Sequence, residues 1–188
     1  MQMQLVLMHN EMNQLLERDS ETYDHSVRVA SMAKVMAHGL KLDPKQTYQL
    51  VNGCYLHDIG KLRIPMEILN KPSGLAPHEW DLMRLHPTVG ANMLKEYAFI
   101  DQEIIDVVEF HHERWSGDGY CAGLKGQDIP VFARICSIID AFDCMISRRS
   151  YHRGLTVNEA IDQLVLNAGT QFDKQYVHIF IQQLNLNE

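Results

Sequence analysis

The chain has no long hydrophobic run: none of its apolar stretches approaches the ~18 residues of a membrane-spanning helix. Its opening lacks the basic front and small-residue cleavage site of a signal peptide. Both absences predict a soluble, cytoplasmic protein. Cysteine is scarce, and Cys54, Cys121, Cys136 and Cys144 form no CxxC pair. They read as reduced, buried thiols of a cytosolic protein, not as a disulfide framework. Positive charge is also short. A formal net charge of -7 argues against coating nucleic acid or an anionic membrane through a diffuse basic surface. Bound divalent ions would reverse that sign locally. Alternating strand patterns, internal repeats and low-complexity segments are missing too.

What is present is one helix after another. The 188 residues, 46% of them hydrophobic, suit one domain with a substantial core. Residues 1–18 carry Leu5, Met8, Met12, Leu15 and Leu16 at helical spacing and predict an N-terminal helix, a candidate linker from a sensory domain. Residues 19–188 then form the main domain. Asp19-Ser20 is an N-cap for a helix running to Gly39, and Asp43-Pro44 starts another that runs into His57. Residues 66–70 make one helical turn, and Pro77 opens a helix to Leu85. Pro87 predicts a break just after His86, before a helix over 88–97. Helices over 101–111, 130–147, 156–168 and 173–184 complete the series. Residues 113–128, with four glycines, form the longest irregular stretch. The expected fold is all-α, a compact helical bundle whose loops carry function.

The residues that bear chemistry are distributed among these helices. Glu21 and His25 stand four apart on one helix face, a spacing more common in surface pairs than in sites. His57-Asp58 sets a nitrogen donor beside a carboxylate, with Lys61 three residues on. His86 follows, then the doublet His111-His112 at a helix end. Asp140 lies within the most apolar helix, where a carboxylate is costly unless hydrogen-bonded, protonated or metal-bound. Asp143 reads as a satisfied structural carboxylate. Five imidazoles and three carboxylates, with no thiolate, suit Fe or Mn better than structural zinc. Eight donors exceed the needs of one ion and suffice for two or three.

The succession His57-Asp58-Ile59-Gly60-Lys61, His86-Pro87, His111-His112-Glu113, Gly117-Asp118-Gly119-Tyr120, and Asp140-Ala141-Phe142-Asp143 resembles an HD-GYP domain. That family is the branch of HD phosphohydrolases that degrades cyclic di-GMP. The resemblance runs from about Ser20 to Phe180. It implies a helical bundle with a bi- or trinuclear centre of iron or manganese. Its ligands would be Glu21, His25, His57, Asp58, His86, His111, His112 and Asp140, with Glu21 marking capacity for a third ion. Lys61 matches the lysine that meets the scissile phosphate, and Tyr120 the tyrosine of the signature. Arg149, His152 and Arg153 fall in or beside the segment that contacts phosphate or guanine. Implied partners are cyclic di-GMP, a GGDEF-type diguanylate cyclase, an N-terminal sensory domain and a second copy in a homodimer.

The chain also departs from the family pattern. Cys121 replaces the signature proline, which frees the backbone φ and adds an N–H donor. Ser116 stands where the family usually has Asp, and His152 replaces a fixed cation with a titratable one.

A phosphodiester repels hydroxide, so its hydrolysis needs charge neutralisation and a nucleophile available near neutral pH. Two close ions bridged by Asp58 would supply both, with Lys61 stabilising charge or protonating the leaving sugar oxygen. The expected activity is hydrolysis of cyclic di-GMP to pGpG and then GMP. Binding a cyclic dinucleotide or a cyclase without turnover is the alternative.

Overall fold

The computed structural model describes residues 2–147 and 154–186, with side chains from residue 9. Arg149, His152 and Arg153 lie outside the described residues. Ten α-helices occur among them: α1 Gln2–Arg18, α2 Ser20–Gly39, α3 Pro44–Leu56, α4 Met66–Leu69, α5 Pro77–Met83, α6 His86–Lys95, α7 Gln102–Phe110, α8 Val131–Ile146, α9 Val157–Leu166 and α10 Lys174–Asn185. Two 3-10 turns, Ile59–Arg63 and Gly126–Asp128, join them. The all-α expectation holds, and the described residues contain no β-strand beyond one isolated bridge between Ala168 and Phe172.

Local chemistry explains where the helices begin. Asp19 accepts from the Thr22 amide at 3.1 Å. Asp43 and Gln46 form a reciprocal capping box, as do Thr156 and Glu159. Each such cap stabilises its helix by about 1 kcal/mol. One boundary differs from expectation. Pro87 does not break a helix after His86; His86 and Pro87 are instead the first residues of α6, and the break lies at Arg84-Leu85. A proline in the first turn lacks an N–H that the helix would leave unpaired anyway.

Two apolar clusters hold the bundle together. In one, Val29, Ala33 and Met36 of α2 meet Leu50 of α3, Ile135 and Ile139 of α8, Leu164 of α9 and Phe180 of α10. In the other, Met12 and Leu15 of α1 are fully buried against Leu56, Ile59, Leu94, Ile104 and Val108. Helices α3 and α7 contribute to both and run between them toward the same end, where His57 and His111 follow their last turns. Gly60 lets the first 3-10 turn press onto α6. A Cβ there would lie 1.9 Å from the His86 carbonyl oxygen. That close approach brings Asp58 and His86 together.

Candidate metal centre

Seven of the eight expected ligands converge. Three groups of donors have ligand atoms within 4.8 Å of one another: His86, His111 and His112; His25, His57 and Asp58; and His25, Asp140 and Cys144. Asp58 joins the first two. Its Oδ1 is 3.1 Å from His86 Nε2, and its Oδ2 is 3.4 Å from His57 Nε2 and 3.9 Å from His25 Nε2. Asp140 Oδ1 is 3.0 Å from His25 Nε2 and 3.9 Å from His57 Nε2. Lys61 Nζ donates to Asp58 Oδ2 at 2.7 Å. Glu21 is not brought in. It is exposed on the first turn of α2 and belongs to none of the three groups.

The imidazoles are aimed by their outer nitrogens. Nδ1 of His57, His86 and His111 faces the carbonyl oxygens of Cys54, Met83 and Val108 at 2.7, 2.8 and 2.9 Å. In each case the acceptor is three residues upstream, so the local backbone orients the ring. His25 Nδ1 instead meets Asp143 Oδ2 at 2.7 Å, and Arg28 Nε grips Asp143 Oδ1 at 2.8 Å. Donating Nδ1–H outward leaves Nε2 as an unprotonated inward donor, the arrangement that fixes histidine ligands around a metal. His112 has no ring hydrogen bond among the described residues. Tyr120 stacks on it with ring centroids 4.7 Å apart, and the Arg84 guanidinium lies 5.9 Å from the Tyr120 centroid.

Protonation differs across the centre. Burial, reinforced by His112, His57 and His86, holds His111 well below the usual imidazole range. Burial also lowers His112 to about 3. Burial opposes charging of His25, but its bonds to Asp140 and Asp143 and the nearby carboxylates raise it to about 9. His57 is likewise raised to about 9 against burial by Asp58. Asp58 and Asp140 stay ionised despite burial: Lys61 and His57 hold Asp58 down, and His25 and His57 do the same for Asp140. Buried, ionised carboxylates beside inward imidazole nitrogens are a donor set that fits divalent transition ions.

The sequence around this centre matches a known family. The family model for the HD domain matches residues 7–176. The chain belongs to the HD domain family. The HD-GYP reading of its motifs agrees with its relatives. A cyclic di-GMP phosphodiesterase of Thermotoga maritima is 35% identical over 90% of this chain and 47% of its own length. A 3'3'-cGAMP-specific phosphodiesterase of Vibrio cholerae is 33% identical over 94% of this chain and 34% of its own. This HD domain thus spans half or less of the length of these curated relatives. Among solved structures, an HDG"Y"P protein of Bdellovibrio bacteriovorus superposes with a TM-score of 0.71 at 26% identity, over 87% of this chain and 52% of that one.

In this HD domain the glycine loop is held from both ends. The Trp115 and Ser116 amides donate to the Gln171 and Thr170 carbonyls at 3.0 and 2.8 Å, and Arg134 lies over the rings of Trp115 and Tyr176. Glu113, a buried residue of the His111-His112-Glu113 motif to which the sequence assigned no role, accepts from the Ala122 and Gly123 amides at 2.7 and 2.9 Å. Cys121, between Tyr120 and those amides, has φ 111. Proline, fixed near -65°, could not adopt that conformation. The thiols are less uniformly buried than their apolar surroundings suggested: Cys121 is exposed and Cys144 half-buried. Asp143 also exceeds its expected structural role, since it orients His25. Its position three residues from Asp140, within reach of a histidine on a facing helix, was the only signal available in the sequence.

Proposed function

We propose that this HD domain is a metal-dependent phosphodiesterase that hydrolyses cyclic di-GMP to pGpG and onward to GMP. The observation that carries the reading is Asp58, whose two oxygens lie 3.1 Å and 3.4 Å from histidines of different groups. A carboxylate so placed suits a bridge between two ions. In this proposal Asp58, His86, His111 and His112 would hold one ion, and Asp58, His25, His57 and Asp140 the next. Glu21 remains the candidate for a third at the solvent edge. Iron or manganese suits the nitrogen and oxygen donors. Such ions supply Lewis-acid neutralisation of the phosphodiester and a water of lowered pKa.

The protein's own groups do the rest. Asp58 holds the Lys61 ammonium charged, and burial does not reverse this. Lys61 then places a cation where charge develops on phosphorus oxygens, a contribution of about 10²–10³ in rate for one such donor. The P–O3′ bond breaks as the oxygen of water joins phosphorus. A proton passes to O3′; Lys61 would supply it and recover one from the attacking water. Arg149, His152 and Arg153 would contact the phosphates or the guanine edges, and Tyr120 would contribute to base recognition from beside His112.

Relatives named for cyclic di-GMP and for 3'3'-cGAMP support the substrate class. A second reading, favoured by Ser116, His152 and the positive φ of Cys121, is a module that binds a cyclic dinucleotide or a diguanylate cyclase without turnover. A sensory domain or a second copy would then relay its state. Anaerobic purification with metal quantification, then product chromatography from both cyclic dinucleotides, separates the cases. Linear product is expected. A filled centre without turnover overturns the enzyme reading and favours the binding module.

A further inference from the structure

The third donor group contains a residue that the eight-ligand set omits. Cys144 follows Asp140 by four residues, so both side chains leave the same face of α8. Its thiol donates to Asp140 Oδ1 at 3.3 Å, and His25 Nε2 of the facing α2 lies 3.0 Å from that same oxygen. All three ligand atoms fall within 4.8 Å of one another. Metal bonds of about 2.0–2.3 Å place donors on one ion roughly 3–4 Å apart, which is the scale of this triangle. Two helices thus present a nitrogen, an oxygen and a sulfur to one point. Glu21, the carboxylate expected at this edge, is exposed and outside the group.

We propose that Cys144 is a metal ligand, completing with His25 and Asp140 a sulfur-containing subsite at the edge of the centre. The proposal rests on the metal-centre reading above. Binding an ion releases the thiol proton and replaces the bond to Asp140 with a metal–sulfur bond. A thiolate is a soft donor, so this subsite favours Zn or Fe(II) over Mn or Mg, unlike the nitrogen and oxygen donors of the remainder.

The test is anaerobic titration of the whole chain with Co(II), whose spectrum separates sulfur ligation from nitrogen and oxygen ligation. The wild type is expected to gain a near-ultraviolet sulfur-to-cobalt charge-transfer band along with visible d–d bands. Cys144→Ala and Cys144→Ser should lose the charge-transfer band and keep the d–d bands, while Cys121→Ser keeps both. Zinc competition should show the zinc-over-manganese preference falling about 10- to 100-fold in Cys144→Ala. Visible bands without a charge-transfer band in the wild type, or a band that persists in Cys144→Ala, overturns the sulfur ligand and leaves the metal centre standing. No cobalt bands at all overturns both. Alkylation of the wild type, mapped by mass spectrometry, gives a readout without any variant. Zinc should protect Cys144 but not the exposed Cys121, and equal labelling of Cys144 with and without zinc overturns the proposal.

Discussion

The two sides of the centre use the same residue type to opposite effect. On one side His86, His111 and His112 face one another, with one oxygen of Asp58 3.1 Å from His86. On the other, His25 and His57 lie among Asp58, Asp140 and Asp143. Burial disfavours the charged imidazole throughout, yet His112 falls to about 3 while His25 rises to about 9. The neighbours decide the sign: like charges add to desolvation on the first side, and carboxylates overcome it on the second. On the first side His111 and His112 are neutral nitrogens ready to ligate. The second must release protons before it can hold an ion, so its affinity is the more pH-dependent.

Asp58 connects the sides, and its loss breaks the comparison most severely. Asp58→Ala should empty both sides of metal and reduce turnover by at least ~10³-fold, several kcal/mol of transition-state stabilisation. Elemental analysis and product chromatography read both effects, and full metal content would disprove the bridge. Lys61→Ala removes the cation bonded to Asp58 Oδ2. It should retain metal and slow turnover about 10²–10³-fold; coincident loss of metal would make Lys61 structural.

Stability against pH in chelator-treated protein sharpens the contrast. His25 and His57, raised from 6.5 to about 9, stabilise the fold fully below pH 6.5, and that contribution is lost as pH rises toward 9. His111 and His112 are lowered, so the unfolded chain takes up protons first and stability falls as pH drops below 6.5. The Tm should peak near pH 6.5 and fall on both sides, roughly 2–4 °C for each kcal/mol lost. A Tm unchanged between pH 6.5 and 9 would contradict the raised values. The smallest effect is expected at Tyr120, which stacks on His112, the imidazole of the centre without a ring hydrogen bond among the described residues. Tyr120→Leu should weaken metal binding about 2- to 10-fold, the worth of one aromatic pair, and Tyr120→Phe should restore it. Equal affinities in all three proteins would show that the stack does not position His112.

Much of this was legible from residue order. Asp43-Pro44 and Thr156 mark helix starts because capping and proline φ act locally, and the apolar period of α8 reports a buried helix. The ligand types were equally legible, since a carboxylate amid isoleucines needs a compensating partner. Pro87 misled because one residue serves both to break a helix and to begin one, and only the packing of α6 on the Ile59–Arg63 turn selects between them.

By itself the sequence determined the all-α class and the end of α3 that carries His57-Asp58. Helical geometry reaches one turn along the chain and no further. Tertiary packing decided which helix faces which. Crossing α2 against α8 brought His25 onto Asp140, Asp143 and Cys144, and it left Glu21 in solvent. Packing the 3-10 turn on α6 through Gly60 turned Asp58 from a neighbour of His57 into the link between two histidine groups.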